Sequence, residues 1–277
     1  MTQSSEIADV LAVPVPSQDE AFMRKQGYRE YALSGNDPHQ QEPLVAIAEY
    51  GIAGQSYYSR PNSATGEPVT DVNPAVLVRR TIAERLAKIN DAVQHSGLLV
   101  ELFEGEVELY VDEGVRSQRV QRHLYNDVFP RLIREQFPEM ADEQVFERRD
   151  QMIARPIASS SSPSPHATGA AVDLKLRYTQ SNKLFVPNTE VFMGHLDADM
   201  SDTTRPDAFE HSGLHGDKIE LARRNRRIFY GVMRGALNAS SSGFVVNPTE
   251  WWHWSYGDQL WAALTKAPAA FYGVAKE

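Results

Sequence analysis

The chain contains no cysteine, no long apolar segment and no excess of positive charge. Without cysteine it can form neither a disulfide nor a thiolate metal site, and it has no thiol nucleophile. No stretch approaches the roughly 18 consecutive apolar residues that indicate a membrane-spanning helix. The 28 Lys and Arg residues against 37 Asp and Glu residues give a net charge of −9, which argues against binding to a nucleic-acid backbone. We therefore expect neither a membrane nor a nucleic acid as partner.

The length of 277 residues and the hydrophobic fraction of 42% are typical of a globular chain with one substantial core. The first ten residues, MTQSSEIADV, lack the charged and apolar regions of a secretory signal, so we expect a cytoplasmic protein. Residues 1–50 mix Pro, Gln, Ser and charged residues, and we predict an N-terminal extension there. Residues 51–277 are predicted to form the main domain, and its oligomeric state is left open.

The hydrophobic pattern predicts helices mixed with strands. Apolar residues three or four apart over residues 78–93 predict a helix that starts at Asn73-Pro74 and stops at Gly97. Further helical patterns cover residues 118–137, 143–152 and 219–237. Predicted strands cover residues 98–103, 107–111 and 171–178, the last from its strict apolar–polar alternation.

Two of the eight histidines have acidic residues at informative positions. Asp173 follows His166 by seven residues and lies in a predicted strand, and His253 follows Glu250 by three in the sequence EWWH. A catalytic zinc site without thiolates takes three imidazole or carboxylate ligands and leaves one position for water. His166, Asp173 and His253 supply such a set, and Glu250 is then free to accept a proton from the activated water.

Each half of this set has an ordinary explanation when it is taken alone. A His–Asp spacing of seven is common by chance, and EWWH is compatible with an aromatic core cluster because all four tryptophans fall within residues 251–261. The two halves together are the stronger hypothesis, because each provides ligands that the other lacks.

A second histidine pair offers a rival metal site. His211 and His215 are four residues apart, which places two imidazoles on one face of a helix, and Asp197 and Asp199 lie nearby. However, the helical pattern begins only near Asp217, and HSGLH lacks the glutamate of the HExxH motif. We consider this pair the weaker candidate.

Two loops are candidates for serving the site. The polar segment SSSSPSP at residues 159–165 is either a linker between domains or a loop that delivers His166, and we favour the loop. Arg116 follows a predicted strand; it either pairs with a surface carboxylate or directs its guanidinium at an oxyanion or a substrate carboxylate.

Several motifs resemble those of one family. SPHATGAAVD at residues 164–173 resembles the SxHxxGxAxD segment of the D-alanyl-D-alanine dipeptidases, zinc enzymes that include the vancomycin-resistance dipeptidases. EWWH at residues 250–253 is similar to that family's EWWH signature, and YGD follows at 256–258. Weaker matches are EGVR at 113–116 to the family's DGYR, NRR at 225–227 and GF at 243–244. The resemblance spans roughly residues 50–265.

The resemblance implies a small α+β fold of the D-Ala-D-Ala metallopeptidase or hedgehog-like type, with an antiparallel sheet flanked by helices and the zinc site on the sheet. It implies one Zn²⁺ per chain. The residues that carry over are the zinc ligands His166, Asp173 and His253, the general base Glu250, the stabiliser of the tetrahedral intermediate Arg116, and the substrate-binding residues Ser164 and Glu113.

The chain departs from the family pattern in places that affect substrate binding. Ser117 replaces the proline after the family's arginine, and Ala198 falls where the family has an aspartate. Asp197 or Asp199 is therefore the candidate for binding the substrate ammonium. The segment 129–157 and the N-terminal extension are expected to reshape the mouth of the pocket.

The resulting hypothesis is zinc-dependent hydrolysis of D-Ala-D-Ala or a similar D,D-dipeptide. A carboxypeptidase or endopeptidase acting on peptidoglycan stem peptides is the alternative enzyme, and a non-catalytic metal-binding module is the alternative of another class. The lack of a signal sequence favours the dipeptidase, because polymeric stem peptides lie outside the cytoplasm. Glu250 favours an enzyme, because a binding protein needs no base.

Overall fold

In the computed structural model, the described residues are 11–276 except 12, 36, 157–160, 181–188, 196–197, 212, 214 and 238–240. The strands are β1 Leu44–Ala46, β2 Ala53–Gly54, β3 Leu77–Arg79, β4 Val107–Glu113, β5 Ala171–Tyr178, β6 Val245–Asn247 and β7 Glu250–Ser255. The α-helices are α1 Asp19–Gln26, α2 Arg80–Gln94, α3 Gly97–Phe103, α4 Gln118–His123, α5 Phe129–Gln136, α6 Asp142–Met152, α7 Asp217–Met233 and α8 Gln259–Thr265. A π-helical segment, Leu124–Val128, joins α4 to α5.

Five strands form the central sheet, in the order β2-β4-β5-β7-β6. The pairs β4–β5, β5–β7 and β6–β7 are antiparallel, whereas the two-residue strand β2 runs parallel to β4. The mixed α+β class is confirmed, but the expectation of a wholly antiparallel sheet is wrong at this edge. Strands β1 and β3 form a separate antiparallel pair.

Helices α2 and α7 supply much of the core that covers the sheet. The apolar stripe of α2 is buried at Ile82, Leu86 and Ile89, as the spacing predicted. It shares one cluster with Leu174 and Phe229, from β5 and α7. Side chains along β5 alternate between the two faces of the sheet. One set faces this core, and Asp173, Lys175 and Arg177 lie on the opposite face.

A second apolar cluster lies beneath α4, the π-helical segment, α5 and α6. Its buried members include Leu124, Ile133 and Val145, and it packs against Tyr58 and Met200. These helices agree with the helical patterns predicted over residues 118–137 and 143–152. This cluster holds the helices α4, α5 and α6 against the rest of the protein, beside the site described below.

The strand predicted over residues 98–103 is wrong, because this segment is helix α3. The Ser96 side chain accepts a hydrogen bond from the Leu99 backbone N–H at 3.2 Å and thereby caps the helix. Gly97 therefore opens a helix where it was expected to end one. The helix ends at Phe103, and Glu104, which follows it, has left-handed backbone angles.

The expected helix start at Asn73-Pro74 is also wrong. The Asn73 side chain accepts a hydrogen bond from the Ala75 N–H at 2.9 Å, which forms a local turn instead of a helix cap. Residues 77–79 then pair with β1, and the helix starts only at Arg80. Its end at Gln94 lies close to the predicted stop.

The other predicted elements are present. The strand at residues 171–178 has the predicted bounds, and the one predicted at 107–111 extends to Glu113. The helix predicted over 219–237 spans Asp217–Met233. None of the helices in the described part of the chain has the length and apolar character needed to cross a membrane.

The described residues before residue 51 pack closely on the rest of the chain. Leu11 is fully buried, β1 pairs with β3, and α1 packs against α8. The boundary between an extension over residues 1–50 and a domain over 51–277 stays a prediction.

Candidate metal centre

Three acidic or histidine side chains lie side by side across the sheet. In the strand register Glu113 of β4 is opposite Asp173 of β5, and Asp173 is opposite His253 of β7. Directly opposed residues of antiparallel strands project to the same face. The alternation of β5 thus places Asp173 between the other two, on the face away from the α2–α7 core.

A tight turn brings His166 to this row. The residues Pro165–Thr168 form a single 3-10 turn that ends at Gly169, whose φ of 72° favours glycine. His166 Nδ1 lies 2.8 Å from the carbonyl oxygen of Gly114. If Nδ1 donates to this carbonyl, the lone pair of His166 Nε2 faces the side chains of Asp173 and His253. The segment 161–165 leads directly into this turn, in agreement with the loop interpretation, while residues 159–160 lie outside the described part.

The ligand atoms of His166, Asp173 and His253 lie within 4.8 Å of one another. His166 Nε2 is 3.1 Å from His253 Nδ1 and 3.3 Å from Asp173 Oδ2, and His253 Nδ1 is 3.1 Å from Asp173 Oδ1. Two ligands at about 2.1 Å from a tetrahedral zinc ion are about 3.4 Å apart. The set therefore fits a zinc ion, and within the described residues no other group of three such side chains converges in this way.

The buried charge at this cluster also fits a cation. Asp173 Oδ1 is buried, and although His253 Nδ1 lies 3.1 Å away, no described residue donates a hydrogen bond of good geometry to it. Burial alone would raise the pKa of Asp173, but the adjacent His166 and His253 hold it well below its usual range. An ionised carboxylate and two imidazole nitrogens thus face one point.

The second nitrogen of His253 is held by a serine and an aspartate. Its Nε2 is 3.4 Å from Ser255 Oγ, which donates a hydrogen bond to Asp258 Oδ2 at 2.8 Å. Both partners are fully buried. Contacts of this kind fix the orientation and tautomer of a metal-binding histidine.

Glu250 reaches the cluster because β7 is irregular. The β6–β7 register shifts between Val246 and Asn247, so that Asn247 is opposite Glu250. Glu250 Oε2 consequently lies 3.7 Å from His253 Nδ1, although the two residues are three positions apart in a strand. Asn247 Nδ2 donates to the same oxygen at 2.6 Å, and burial raises the pKa of Glu250.

Arg116 lies at the edge of the cluster and is almost fully buried. Its Nη2 is 3.5 Å from Asp173 Oδ2, and its Nε is 3.9 Å from Glu113 Oε2. Gln121 accepts a hydrogen bond from Nη1 at 3.2 Å, and the guanidinium carbon lies 5.2 Å from the centre of the Tyr58 ring. These contacts orient a guanidinium toward the Asp173 side of the centre.

Two predicted substrate-binding residues have a buried oxygen that makes no hydrogen bond to the described residues; these oxygens are Ser164 Oγ and Glu113 Oε2. Ser164 is 1% exposed. Burial raises the pKa of Glu113 to about 8, although the adjacent Arg116 opposes this shift.

The remaining acidic and histidine candidates are placed less directly. Asp199 lines the same cavity, and it accepts hydrogen bonds from Ser201 and Thr203. Asp197 lies outside the described residues. His211 and His215 precede α7, and neither lines the cavity nor belongs to the converging group.

The centre opens into a cavity of about 590 Å³. Residues 150–155, at the end of α6 and just after it, form part of its wall. The region before residue 51 contributes another part, through Phe22, Lys25 and Arg29. Aromatic side chains, including Tyr58 and Trp252, line it as well.

Sequence reasoning did not identify several residues that support the centre: Asn247, Ser255, Asp258, Tyr58 and Gln121. Ser255 could have been found, because it lies two residues after His253 in a strand and therefore on the same face. Asn247 depends on an irregular register, and Tyr58 comes from a distant loop, so neither has a local signal.

Comparison with known proteins gives two matches. A family model described as D-Ala-D-Ala dipeptidase, Peptidase_M15, matches residues 42–272. A D-alanyl-D-alanine dipeptidase of Synechocystis sp. (strain ATCC 27184 / PCC 6803 / Kazusa) is 28% identical over 232 residues, which cover 80% of this chain and 84% of that protein. The matched region contains His166, Asp173, Glu250 and His253.

Proposed function

The chain belongs to the peptidase M15 family of D-Ala-D-Ala dipeptidases, and from this premise we propose that it hydrolyses D-Ala-D-Ala or a similar D,D-dipeptide with one Zn²⁺ ion per chain. The observation that carries the proposal is the convergence of three ligand side chains within 4.8 Å, beside a buried carboxylate. A metal-binding module without activity has no need of the Glu250 carboxylate, so its presence favours an enzyme.

His166 Nε2, His253 Nδ1 and the Asp173 carboxylate would hold the ion. A zinc ion so bound lowers the pKa of a water ligand to about 7 and polarises a carbonyl oxygen. The contacts with the Gly114 carbonyl and the Ser255 hydroxyl would keep the two imidazoles in position to bind the ion.

Glu250 is the proposed general base. Its carboxylate lies beside the ligand nitrogen of His253, where it accepts a proton from the attacking water and later passes it to the leaving amine. Burial raises its pKa, which makes it a better proton acceptor than a solvated carboxylate. Asn247 holds one of its oxygens in place.

Arg116 is proposed to stabilise the negative charge that develops on the peptide carbonyl oxygen. Its contacts with Glu113, Asp173 and Tyr58 fix the guanidinium before the substrate arrives. A donor fixed in advance stabilises the transition state at little cost of reorganisation.

Replacing Arg116 with lysine should lower kcat by about 100- to 1,000-fold, because the shorter-reaching ammonium cannot occupy the position of the guanidinium fork. The positive charge between Glu113 and Asp173 is retained, so the fold should survive. Steady-state kinetics measures the effect, with Arg119→Lys as the control because Arg119 is exposed on α4. An unchanged kcat in Arg116→Lys would refute the assigned role.

Replacing Ser255 with alanine should weaken zinc binding by about 10- to 100-fold, because Nε2 of His253 then loses its polar partner. The exposed Ser63 provides the matched control, Ser63→Ala. Competition for zinc with a chelator of known affinity measures both variants. Equal zinc affinity in the two would show that Ser255 does not support the ligand.

Recognition of the substrate is proposed to use both ends of the dipeptide. The free hydroxyl of Ser164 is available to the peptide, and Glu113 lies beside Arg116 on the wall of the centre. Asp199 is the described candidate for the substrate ammonium, and Asp197 stays a second one.

The proposed function is tested by metal analysis combined with a panel of dipeptides that differ in chirality at each residue. We expect one zinc ion per chain and hydrolysis confined to dipeptides with D-residues on both sides of the bond. Hydrolysis of L,L-dipeptides alone, or activity that does not depend on metal, would contradict the proposal.

A carboxypeptidase or endopeptidase that acts on stem peptides is the second candidate. The cavity of about 590 Å³ lies within the range of about 300–1,000 Å³ that holds drug-sized ligands, so it has room for more than a dipeptide. Comparing D-Ala-D-Ala with a pentapeptide that ends in D-Ala-D-Ala separates the two. Faster hydrolysis of the pentapeptide would favour this candidate. A cytoplasmic dipeptidase should instead hydrolyse D-Ala-D-Ala faster than the pentapeptide.

A further inference from the structure

The cationic side chains that line the cavity differ in how their charge is balanced. Three are paired with carboxylates: Arg116 with Glu113 and Asp173, Lys175 with Asp112 and Glu190, and Arg155 with Asp150. Lys25 and Arg29 have no carboxylate within 4.0 Å in the described part of the chain. A substrate carboxylate that enters the cavity needs an unpaired cation, so these two are the candidates.

Lys25 is bound only by neutral oxygens. Its Nζ donates to Thr249 Oγ1 at 2.5 Å and to the Gln151 carbonyl at 2.8 Å. An ammonium has three N–H donors, so one remains for a ligand. Arg29 instead donates to the Tyr28 hydroxyl and the Arg155 carbonyl, at the part of the wall formed by residues 28, 29 and 155.

The position of Lys25 relative to the proposed base decides between the two. Thr249, which accepts from Lys25, immediately precedes Glu250, and the charge of Glu250 acts on the Lys25 ammonium. In a dipeptide the C-terminal carboxylate is one residue from the bond that is cleaved. Its partner must therefore lie close to the base, which Lys25 does.

The electrostatic environment supports an anion partner for Lys25. Burial lowers the pKa of Lys25 to about 8, although Glu250 partly opposes this shift. The half-buried ammonium has lost part of its hydration without gaining an ion pair to a described residue. A carboxylate placed on its third donor would form a charge-assisted hydrogen bond in a site sheltered from water.

We propose that Lys25 binds the C-terminal carboxylate of the dipeptide and so makes a free C-terminus a requirement for the substrate. Lys25 belongs to α1, which precedes the residues 42–272 that match the family model. The segment before that region would thus provide a specificity residue. This inference rests on the proposed D,D-dipeptidase function.

The test compares kcat/KM for D-Ala-D-Ala with kcat/KM for its C-terminal amide, in the zinc-loaded full chain. The ratio of the two kcat/KM values does not depend on the fraction of folded enzyme. A change in Glu250 caused by the loss of Lys25 affects the hydrolysis of both substrates, so the ratio is insensitive to it. We expect Lys25→Met to reduce this ratio by about 10- to 100-fold, mainly through a higher KM for the free acid. Lys25→Arg, which retains a cation, should keep most of the preference.

Arg24→Met is the matched control, because Arg24 lies on the same helix, has the same charge and does not line the cavity. Its ratio should equal that of the unmodified enzyme. An unchanged ratio in Lys25→Met, or an equal loss in Arg24→Met, would overturn the role of Lys25 while leaving the dipeptidase function intact. If the unmodified enzyme hydrolyses neither compound, the proposed function itself fails.

Discussion

Replacing Glu250 with alanine is expected to lower kcat by about 100- to 10,000-fold while the protein still binds one zinc ion. The side chain is not among the three converging ligands, but it lies 3.7 Å from the nitrogen of one of them. Its removal therefore takes away the proton acceptor and leaves the ligand set complete. Dipeptide hydrolysis and zinc content, measured on the same preparation, test both parts.

Glu250→Gln separates loss of the base from loss of packing. The amide keeps the shape of the side chain but cannot accept the proton, so this variant should be as inactive as the alanine variant. Glu139→Ala is the matched control, because Glu139 is exposed and lies away from the cavity. Near-normal turnover by either Glu250 variant with full zinc occupancy would contradict the assignment.

Replacing His166 with alanine is expected to abolish both zinc binding and hydrolysis. His166 supplies one of two imidazole nitrogens, which lie 3.1 Å apart, and no other described histidine lies in the group to replace it. The circular dichroism spectrum should stay that of the unmodified protein, because the turn that carries His166 is a single turn at the edge of β5. Zinc content after dialysis and dipeptide hydrolysis are the measurements.

The rival histidine pair provides the control for this experiment. His211→Ala removes a histidine that does not line the cavity, and it should leave zinc content and activity unchanged. Stoichiometric zinc in His166→Ala, or loss of zinc in His211→Ala, would place the metal elsewhere than proposed.

Much of the candidate metal centre could be predicted because its determinants are local. The alternation along residues 171–178 fixes the face on which Asp173 lies, and the Ser-Pro before His166 excludes regular structure and favours a turn. What brings the two halves together is the pairing of Asp173 with His253 across β5 and β7. That pairing is tertiary, so spacing alone could not predict it. The sequence indicated it through the complementary ligand types of the two halves and through the resemblance of the motifs to a family.

Each wrong prediction of a helix or strand came from a local sequence pattern that is compatible with two structures. Gly97 can end a helix or begin one, and the Ser96 cap decided for the second. Asn73-Pro74 is compatible with a helix start or with a turn, and the pairing of residues 77–79 with β1 left room only for the turn. The approach of Glu250 to His253 required a register shift, which no periodicity predicts.

Lys25 was not predicted because nothing in its own segment distinguishes it. The helix that carries it is short and polar, and its contacts are with residues more than a hundred positions away. Only the packing of α1 beside the start of β7 and the end of α6 places its charge in the cavity. A residue that reaches the cavity through tertiary packing can be found in a structure, but no sequence motif indicates it.

Anomalous diffraction from crystals of the zinc-loaded protein tests the central claim most directly. We expect one peak per chain, within bonding distance of His166 Nε2, His253 Nδ1 and a carboxylate oxygen of Asp173. A peak bound by other residues, or none at this position in protein that hydrolyses the dipeptide, would contradict the account.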